Sequence, residues 1–384
     1  MGFNFPNTPT PGDIFLAPGG PRYVFSEGVW RVVSDAQSIL TADTYNRIVN
    51  GAMQHSQQNA GLSSQANGHY GADQWLTNFA GAGVLETDRK PIYPPFGVRQ
   101  MRYRVAVTTG DASLTGADNA FISQAVEGLR VSDFGWGYAG ARQVVLRFGW
   151  KSLAGTYSFV FRNAAGDRSY VGNFTISAAQ ADTDTVQTFV IPGDTTGVWP
   201  IDNTVGFYLR FVIATGPTYI GVAGWQAGNI LGTSANTNGL VVNNNYELYD
   251  VGLYLDPLAT GVAPRWEPPD YAEELRACQR YYHKIGPTVS GVPYGAAHTP
   301  TAVLGRAHIP YGVAMRTTPS VTVSAAADFS ISCQNTITAS ALSGAPAGPE
   351  MVTLEFTIAG ATVGQGGYCR AATANAAVYL NARM

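Results

Sequence analysis

The chain is poor in charge and in cysteine, and it contains no long apolar run. Asp, Glu, Lys and Arg make up 13% of the 384 residues, whereas an average soluble protein carries roughly 25%. The 23 basic and 26 acidic residues give a net charge of −3, and no block of like charge is present of the kind that binds nucleic acid. No run approaches the ~18 apolar residues of a membrane span. We therefore expect no nucleic-acid partner and no membrane insertion.

The reactive residue types occur without the spacing that their chemistry needs. Cys278, Cys333 and Cys369 are odd in number and far apart, which argues against a disulfide framework or a zinc cluster and leaves one Cys333–Cys369 bridge open. The five histidines never stand two or four positions apart, as two imidazoles on one metal would. Phosphate-loop, esterase and zinc-protease motifs do not occur in the sequence. We expect no cofactor, no metal and no catalytic residue, and thus a protein that is not an enzyme.

What the chain does contain favours strands and turns. Hydrophobic residues make up 45%, and 44 Gly and 22 Pro accompany 17 Phe and 20 Tyr, a mixture typical of strands joined by tight turns. In Met101–Val107 the odd positions are apolar and Arg102 and Arg104 lie between them. This alternation predicts a strand with the two arginines on a solvated face. The fold class is therefore predicted to be all-β.

Turn signals and composition divide the chain into five segments. The first is too small to be independently stable, so we expect it to dock on another protein through Phe3, Phe5, Phe15 and Trp30. The predicted segments are a small β module at 1–33, a connector at 34–49, a large jelly-roll β-sandwich at 50–265, a helix linker at 266–286 and a smaller C-terminal β-sandwich at 287–384.

The linker contains the clearest helix signal. Asp270 is a good N-cap and Glu273 stands three residues later, as in a capping box, which predicts a helix over residues 270 to 284. Its apolar residues have heptad-like spacing, which fits either a symmetry axis or packing within the chain: Tyr271, Leu275, Cys278 and Tyr282.

Aromatic side chains near Gly-rich turns are candidates for binding sugars, because an exposed ring can stack on the apolar face of a saccharide. The alternative is that these rings belong to the core. The candidates are Trp136, Tyr138 and Trp225 in the large sandwich, with Asp133, Arg142 and Asn229 as nearby hydrogen-bonding groups, and Tyr294, His298 and Tyr311 in the C-terminal sandwich.

Several stretches together resemble a family of bacteriophage tail-fibre and virion-appendage proteins, which also occur on gene transfer agents. The resemblance covers about residues 45 to 285 and is most specific in its last element. It is carried by Arg47–Gln54, Tyr70–Trp75, Val126–Gly128, Phe134–Gly137, Asn163–Tyr170, Ile191–Gly197 and Ala272–Tyr282. In that family a jelly roll like a carbohydrate-binding module is followed by a helix and a C-terminal β domain.

The resemblance implies a structural protein of the virion surface, on tail, baseplate or head, that is assembled in the cytoplasm of the bacterial host. It implies attachment to host-surface polysaccharide, contact with other virion proteins through the N-terminus, and a homotrimer. It supplies no catalytic residue. Two other functions stay open, a purely structural decoration or connector protein and a glycan-cleaving tailspike. Sugar release from the host envelope would favour the tailspike.

Overall fold

Strands dominate the computed structural model, which describes residues 5–16, 22–26, 28–33, 41–92, 100–241, 243–286, 289–346 and 348–384. These residues form 27 strands and one α-helix, which confirms the all-β fold class. None of the helices in these ranges is long and apolar enough to cross a membrane. Phe3 and residues 34–40 of the predicted connector lie outside the described residues.

The N-terminal module is a three-stranded antiparallel sheet, formed by β1 (Ile14–Leu16), β2 (Arg22–Ser26) and β3 (Val29–Val33) in that order. The Phe5 ring stacks on Trp30 with 5.2 Å between centroids and lies 4.8 Å from the ring of Phe15. These three predicted anchoring side chains are thus half-buried against one another.

Two antiparallel sheets form the large sandwich. One has seven strands in the order β15-β11-β10-β13-β8-β5-β4, the other has five in the order β12-β9-β17-β7-β6, and β14 and β16 form a short parallel pair. The strands are β4 (His69–Ala72), β5 (Trp75–Ala80), β6 (Val84–Ile92), β7 (Gln100–Thr109), β8 (Asn119–Glu127), β9 (Val144–Lys151), β10 (Gly155–Asn163), β11 (Arg168–Ile176), β12 (Thr185–Ile191), β13 (Val205–Thr215), β14 (Ile220–Gly221), β15 (Gly224–Ala227), β16 (Gly232–Thr233) and β17 (Asn245–Leu255).

Aromatic rings from both sheets meet in the core. Phe148 of β9 lies 4.8 Å from Phe211 of β13 and 6.2 Å from Phe159 of β10 in T-shaped pairs, a geometry that adds to the stabilisation from burial alone. The alternation in β7 is confirmed, since its apolar side chains are buried there. The prediction that Arg102 is solvated is wrong. It is 3% exposed, because Asp184 and Glu247 pair with its guanidinium.

The C-terminal sandwich packs a three-stranded sheet, β18-β27-β21, against a seven-stranded one, β23-β22-β26-β19-β20-β25-β24. Its strands are β18 (Tyr282–Ile285), β19 (Pro293–Thr301), β20 (Leu304–Pro310), β21 (Ser320–Val323), β22 (Phe329–Ser332), β23 (Thr336–Thr338), β24 (Ala341–Pro346), β25 (Met351–Thr357), β26 (Gly366–Ala371) and β27 (Val378–Asn381). Cys333 and Cys369 both lie in this sandwich as free thiols, so the bridge left open by the sequence is not formed. Cys278 in the helix is also a free thiol.

The helix α1 spans Tyr271–Gln279, and the side chain of Asp270 accepts the backbone N–H groups of Ala272 and Glu273. The predicted cap is confirmed, but the predicted end at residue 284 is wrong. Residues 282 to 285 form β18 instead, because they pair with β27 about a hundred residues later. Of the apolar stripe, Cys278 is buried against Val49, whereas Tyr271 is 62% exposed. A homotrimer stays a prediction.

Charged side chains join the two sandwiches. Glu127 of β8 is 1% exposed and accepts hydrogen bonds from Nε of Arg280 at 2.9 Å and from Nη2 of Arg280 at 2.5 Å. It also accepts one from the Tyr281 hydroxyl at 2.7 Å. Arg383 lies 3.8 Å from the ring centroid of Tyr70 and 4.0 Å from that of Tyr282. Arg280, Tyr281 and Arg383, which flank the strands of the C-terminal sandwich, thus contact side chains of the large sandwich.

Candidate functional site

The predicted aromatic candidates of the large sandwich come together, but mainly as a core cluster. Trp136 and Trp225 lie 5.1 Å apart, and Trp199 lies within 5.4 Å of both. All three indole N–H groups donate to backbone carbonyls. Trp136 is only 4% exposed, so the expectation that it stands free at a turn is wrong. Tyr138 is 67% exposed and Trp225 is half-buried.

The three candidates of the C-terminal sandwich differ in exposure and in their contacts. Tyr311 is 2% exposed, so the expectation of an accessible ring is wrong there too. Tyr294 is half-buried and its hydroxyl donates to the carbonyl of Ala376. His298 is half-buried and stacks on His308 with 5.9 Å between ring centroids. Sugar binding by the accessible candidates is an untested prediction.

A cavity lies beside α1, and side chains in its lining hold that helix in place. It has a volume of about 700 Å³ and is lined by residues of the 41–48 and 264–277 segments. Two of its polar side chains are engaged within the chain: Glu274 accepts the backbone N–H of Asn50, and Arg130 donates to the carbonyls of Asn46 and Arg47. Burial raises the pKa of the Glu274 carboxyl. These contacts serve packing, so the cavity is not our candidate.

The outer face of the seven-stranded sheet, turned away from the five-stranded one, carries polar side chains. Leu209 and Phe211 of β13 point into the main core, so Tyr208 and Arg210 point to the other face of the sheet. Tyr208 stands directly opposite Arg162 of β10. Residues directly opposite on antiparallel strands share a face and touch, which places all three side chains side by side.

Strand pairing places further residues on the same outer face. Arg210 stands opposite Ser123 of β8, which stands opposite Leu76 of β5. One row further along, Phe121 of β8 stands opposite Asn78 of β5. The outer face thus carries rings, an amide and guanidinium groups within a few strands of one another.

A groove crosses this face, and we call it the outer groove. Its main part has a volume of about 330 Å³ and an adjoining part about 60 Å³, and Asn78 and Arg210 line both. The other lining residues are Asn67, Phe79, Ala80, Asn119, Phe121, Tyr219, Asn229 and Leu231 in the main part and Tyr70, Gln74, Leu76, Ser123, Ala125, Tyr208 and Met384 in the adjoining part.

Several hydrogen-bond donors around the outer groove have no acceptor. The Nε atoms of Arg162 and Arg210 and the Nε2 atom of Gln74 are buried without a partner. Arg210 makes one long hydrogen bond, 3.4 Å, to Oδ1 of Asn229. Burial, together with the nearby charge of Arg162, lowers the pKa of Arg210 to about 10. Buried polar groups are normally satisfied, so these donors are suited to a ligand.

The rest of the lining offers amides and aromatic rings. Asn78, Asn119 and Asn229 each carry a donor and an acceptor, while Tyr208 and Tyr219 provide flat apolar surfaces with a hydroxyl at the edge. Of the residues singled out from the sequence, only Asn229 belongs to the outer groove. Among the described residues, no three His, Cys, Asp or Glu side chains are grouped as metal ligands.

Comparison with known proteins gives structural likenesses only. No protein-family model matches the chain, and no curated protein matches it, so the resemblance to tail-fibre proteins is not confirmed by a family. Solved structures that match include the enzymatically active domain of tailspike protein 4 from bacteriophage CBA120, with 13% identity over 55% of this chain and a TM-score of 0.32. The match spans 21% of that tailspike chain.

Carbohydrate-binding modules are also among the matching structures. A family 11 module of a cellulosomal cellulase from Clostridium thermocellum is 13% identical over 51% of this chain and 96% of its own, with a TM-score of 0.26. The N-terminal cellulose-binding domain of a β-1,4-glucanase from Cellulomonas fimi is 16% identical over 51% of this chain and 95% of its own, with a TM-score of 0.24.

Proposed function

We propose that the outer groove binds a saccharide of the host surface, without cleaving it, and that the chain is an attachment protein of a phage-like particle. The observation that carries the proposal is the lining of the groove. A saccharide presents hydroxyl groups together with apolar C–H faces, and a site for it combines rings with amide donors and acceptors. Tyr208, Tyr219 and the three asparagines supply that combination on one sheet face.

Affinity in this proposal comes from several copies. A single stacking contact contributes on the order of 1 kcal/mol, so one shallow groove holds a sugar weakly. Several copies on one particle raise the overall avidity without any new contact. The predicted homotrimer and several appendages per virion would supply those copies.

We expect Asn78→Ala and Tyr219→Ala each to weaken binding of the chain to host envelope polysaccharide about tenfold, because each removes one polar or stacking contact. Binding is measured by retardation of the purified protein in gels that contain the polysaccharide released from bacteria to which the particle adsorbs. Val186→Ala is the matched control, since Val186 is 56% exposed on β12 of the opposite sheet.

Three outcomes would contradict this function. Unchanged binding by both groove variants would remove the outer groove as the site. Release of sugar fragments by the wild type would identify a glycan-cleaving tailspike. Presence in virions without any binding to cells or polysaccharide would identify a decoration or connector protein.

We further expect that a chain lacking residues 1–33 folds, binds polysaccharide and is missing from assembled particles. Among the described residues, the strands of this module pair only with one another, so their removal should leave both sandwiches intact. Particles produced with the truncated chain are purified and probed for it, with the full chain as the control. Normal incorporation of the truncated chain would place the anchor elsewhere.

A further inference from the structure

We propose that the saccharide bound in the outer groove is anionic, and that Arg210, which lines both parts of the groove, holds its acidic group, a carboxylate or a sulfate or phosphate ester, with the positive charge of Arg162 nearby. The inference rests on the proposed function and adds the charge class of the ligand. It follows from the pairing of charges across the molecule rather than from the shape of the groove.

Several arginines on the strands of this protein have a carboxylate partner. Arg102 pairs with Asp184, Arg168 with Asp194 and Arg306 with Glu355, at 2.5 to 2.8 Å. Acidic residues slightly outnumber basic ones in the whole chain, so carboxylates are available. Two arginines that stand together without one are therefore an exception that needs an explanation.

Arg162 and Arg210 are that exception within the part of the chain that the structure describes. Neither takes part in an ion pair there, and no Asp or Glu lines either part of the outer groove. Both guanidinium groups lie near the same ring, at 5.4 and 5.3 Å from the centroid of Tyr208. Arg210 also lies 4.6 Å from the centroid of Phe121.

Two adjacent cations that are partly removed from water repel each other and lose hydration. The rings of Tyr208 and Phe121 compensate in part, through cation–π contacts. They leave the Nε donors of both arginines without an acceptor. Burial, and after it the charge of Arg162, lowers the pKa of Arg210. An acidic group in the groove would accept from the guanidinium of Arg210 and relieve the repulsion.

A guanidinium group matches a planar or tetrahedral oxyanion through two parallel hydrogen bonds, which are stronger than bonds to neutral hydroxyls. A neutral sugar would occupy the amides and rings of the groove and leave both positive charges uncompensated. The arrangement therefore favours an acidic sugar unit over a neutral one of the same shape.

The test compares polymers that differ in charge. The full chain is titrated against polygalacturonate and its fully methyl-esterified, neutral form, against dextran sulfate and dextran, and against hyaluronate and polysialate. We expect at least one anionic polymer to bind about tenfold tighter than its neutral counterpart or the neutral polymers, and this binding to weaken with added salt. Comparison of the carboxylate polymers with dextran sulfate distinguishes the two kinds of acidic group.

Arg210→Gln should reduce binding of the preferred anionic polymer about tenfold, and Arg162→Gln should reduce it less. Both variants should affect neutral polymers far less than the anionic one. Arg276→Gln is the matched control, since it removes the same charge from an exposed position on α1. Without ligand, the Arg210→Gln variant should be at least as stable as the wild type, because it removes an uncompensated cation.

Each result distinguishes this inference from the proposed function. Equal binding of neutral and anionic polymers, or full anion preference in the double Arg162→Gln/Arg210→Gln variant, would overturn the inference and leave saccharide binding in place. Binding to none of the polymers and to no host polysaccharide would overturn both. A marked loss of stability in Arg210→Gln would show that Arg210 serves the fold, and would also overturn the inference.

Discussion

Replacing Glu127 by alanine should lower the free energy of unfolding by about 3 to 5 kcal/mol, the usual effect of removing one partner of a buried ion pair. The carboxylate is 1% exposed and accepts three hydrogen bonds, two from Arg280 and one from Tyr281. Its loss leaves the guanidinium and the phenol without their acceptor. Because Glu127 lies on β8 of the large sandwich and its partners precede β18 of the other one, the variant should also uncouple the two sandwiches.

Denaturant unfolding followed by tryptophan fluorescence measures this effect. The control is Glu355→Ala, which breaks the Arg306–Glu355 pair at 2.8 Å. Both of these side chains are about 40% exposed, so its loss should cost less than about 1 kcal/mol. Similar losses in the two variants would show that burial of Glu127 does not strengthen its pairs.

Trp136→Ala should destabilise the large sandwich by about 3 to 5 kcal/mol, as truncation of a large buried ring does. The indole is 4% exposed and packs on Trp199, Trp225 and Phe134 at 5.0 to 5.3 Å. It also donates to the carbonyl of Arg142 at 3.0 Å. Truncation would open a cavity beneath the edge of the seven-stranded sheet and remove that bond.

Tyr138→Ala is the matched control for Trp136→Ala, because it removes a neighbouring aromatic ring that is 67% exposed. We expect its stability to stay within about 0.5 kcal/mol of the wild type. Thermal unfolding of both variants measures the difference. A Trp136→Ala variant with wild-type stability and weakened polysaccharide binding would restore the sequence-based assignment of Trp136 as a sugar-binding ring.

Local sequence patterns predicted the strands and the helix cap better than they predicted the contacts that these elements make with distant residues. The alternation in β7 and the Asp270 cap could be predicted because both depend on residues a few positions apart. The end of α1 could not, since residues 282 to 285 become a strand only through pairing with β27. For the same reason Trp136 was expected to be exposed: its covering rings, Trp199 and Trp225, are more than sixty residues away.

The outer groove was only half visible in the sequence. The alternation in residues 206 to 213 places Tyr208 and Arg210 on one face, and that signal could have been used. No local sequence pattern indicates that this face points outward, or that Arg162 of another strand stands opposite Tyr208. Register between strands decides which charges meet, and a single sequence does not contain it.

The place of β17 in the five-stranded sheet determines when the protein can fold during synthesis. β17 joins the β6–β7 hairpin to the β9–β12 strand pair, and these two units have no pairing with each other. Ribosomes add about 5 to 20 residues per second, so the first hairpin waits on the order of ten seconds or more for residues 245 to 255. Until then its edge strand offers unpaired backbone groups to neighbouring chains. Chaperones that cover exposed strand edges during synthesis should therefore raise the yield of native protein.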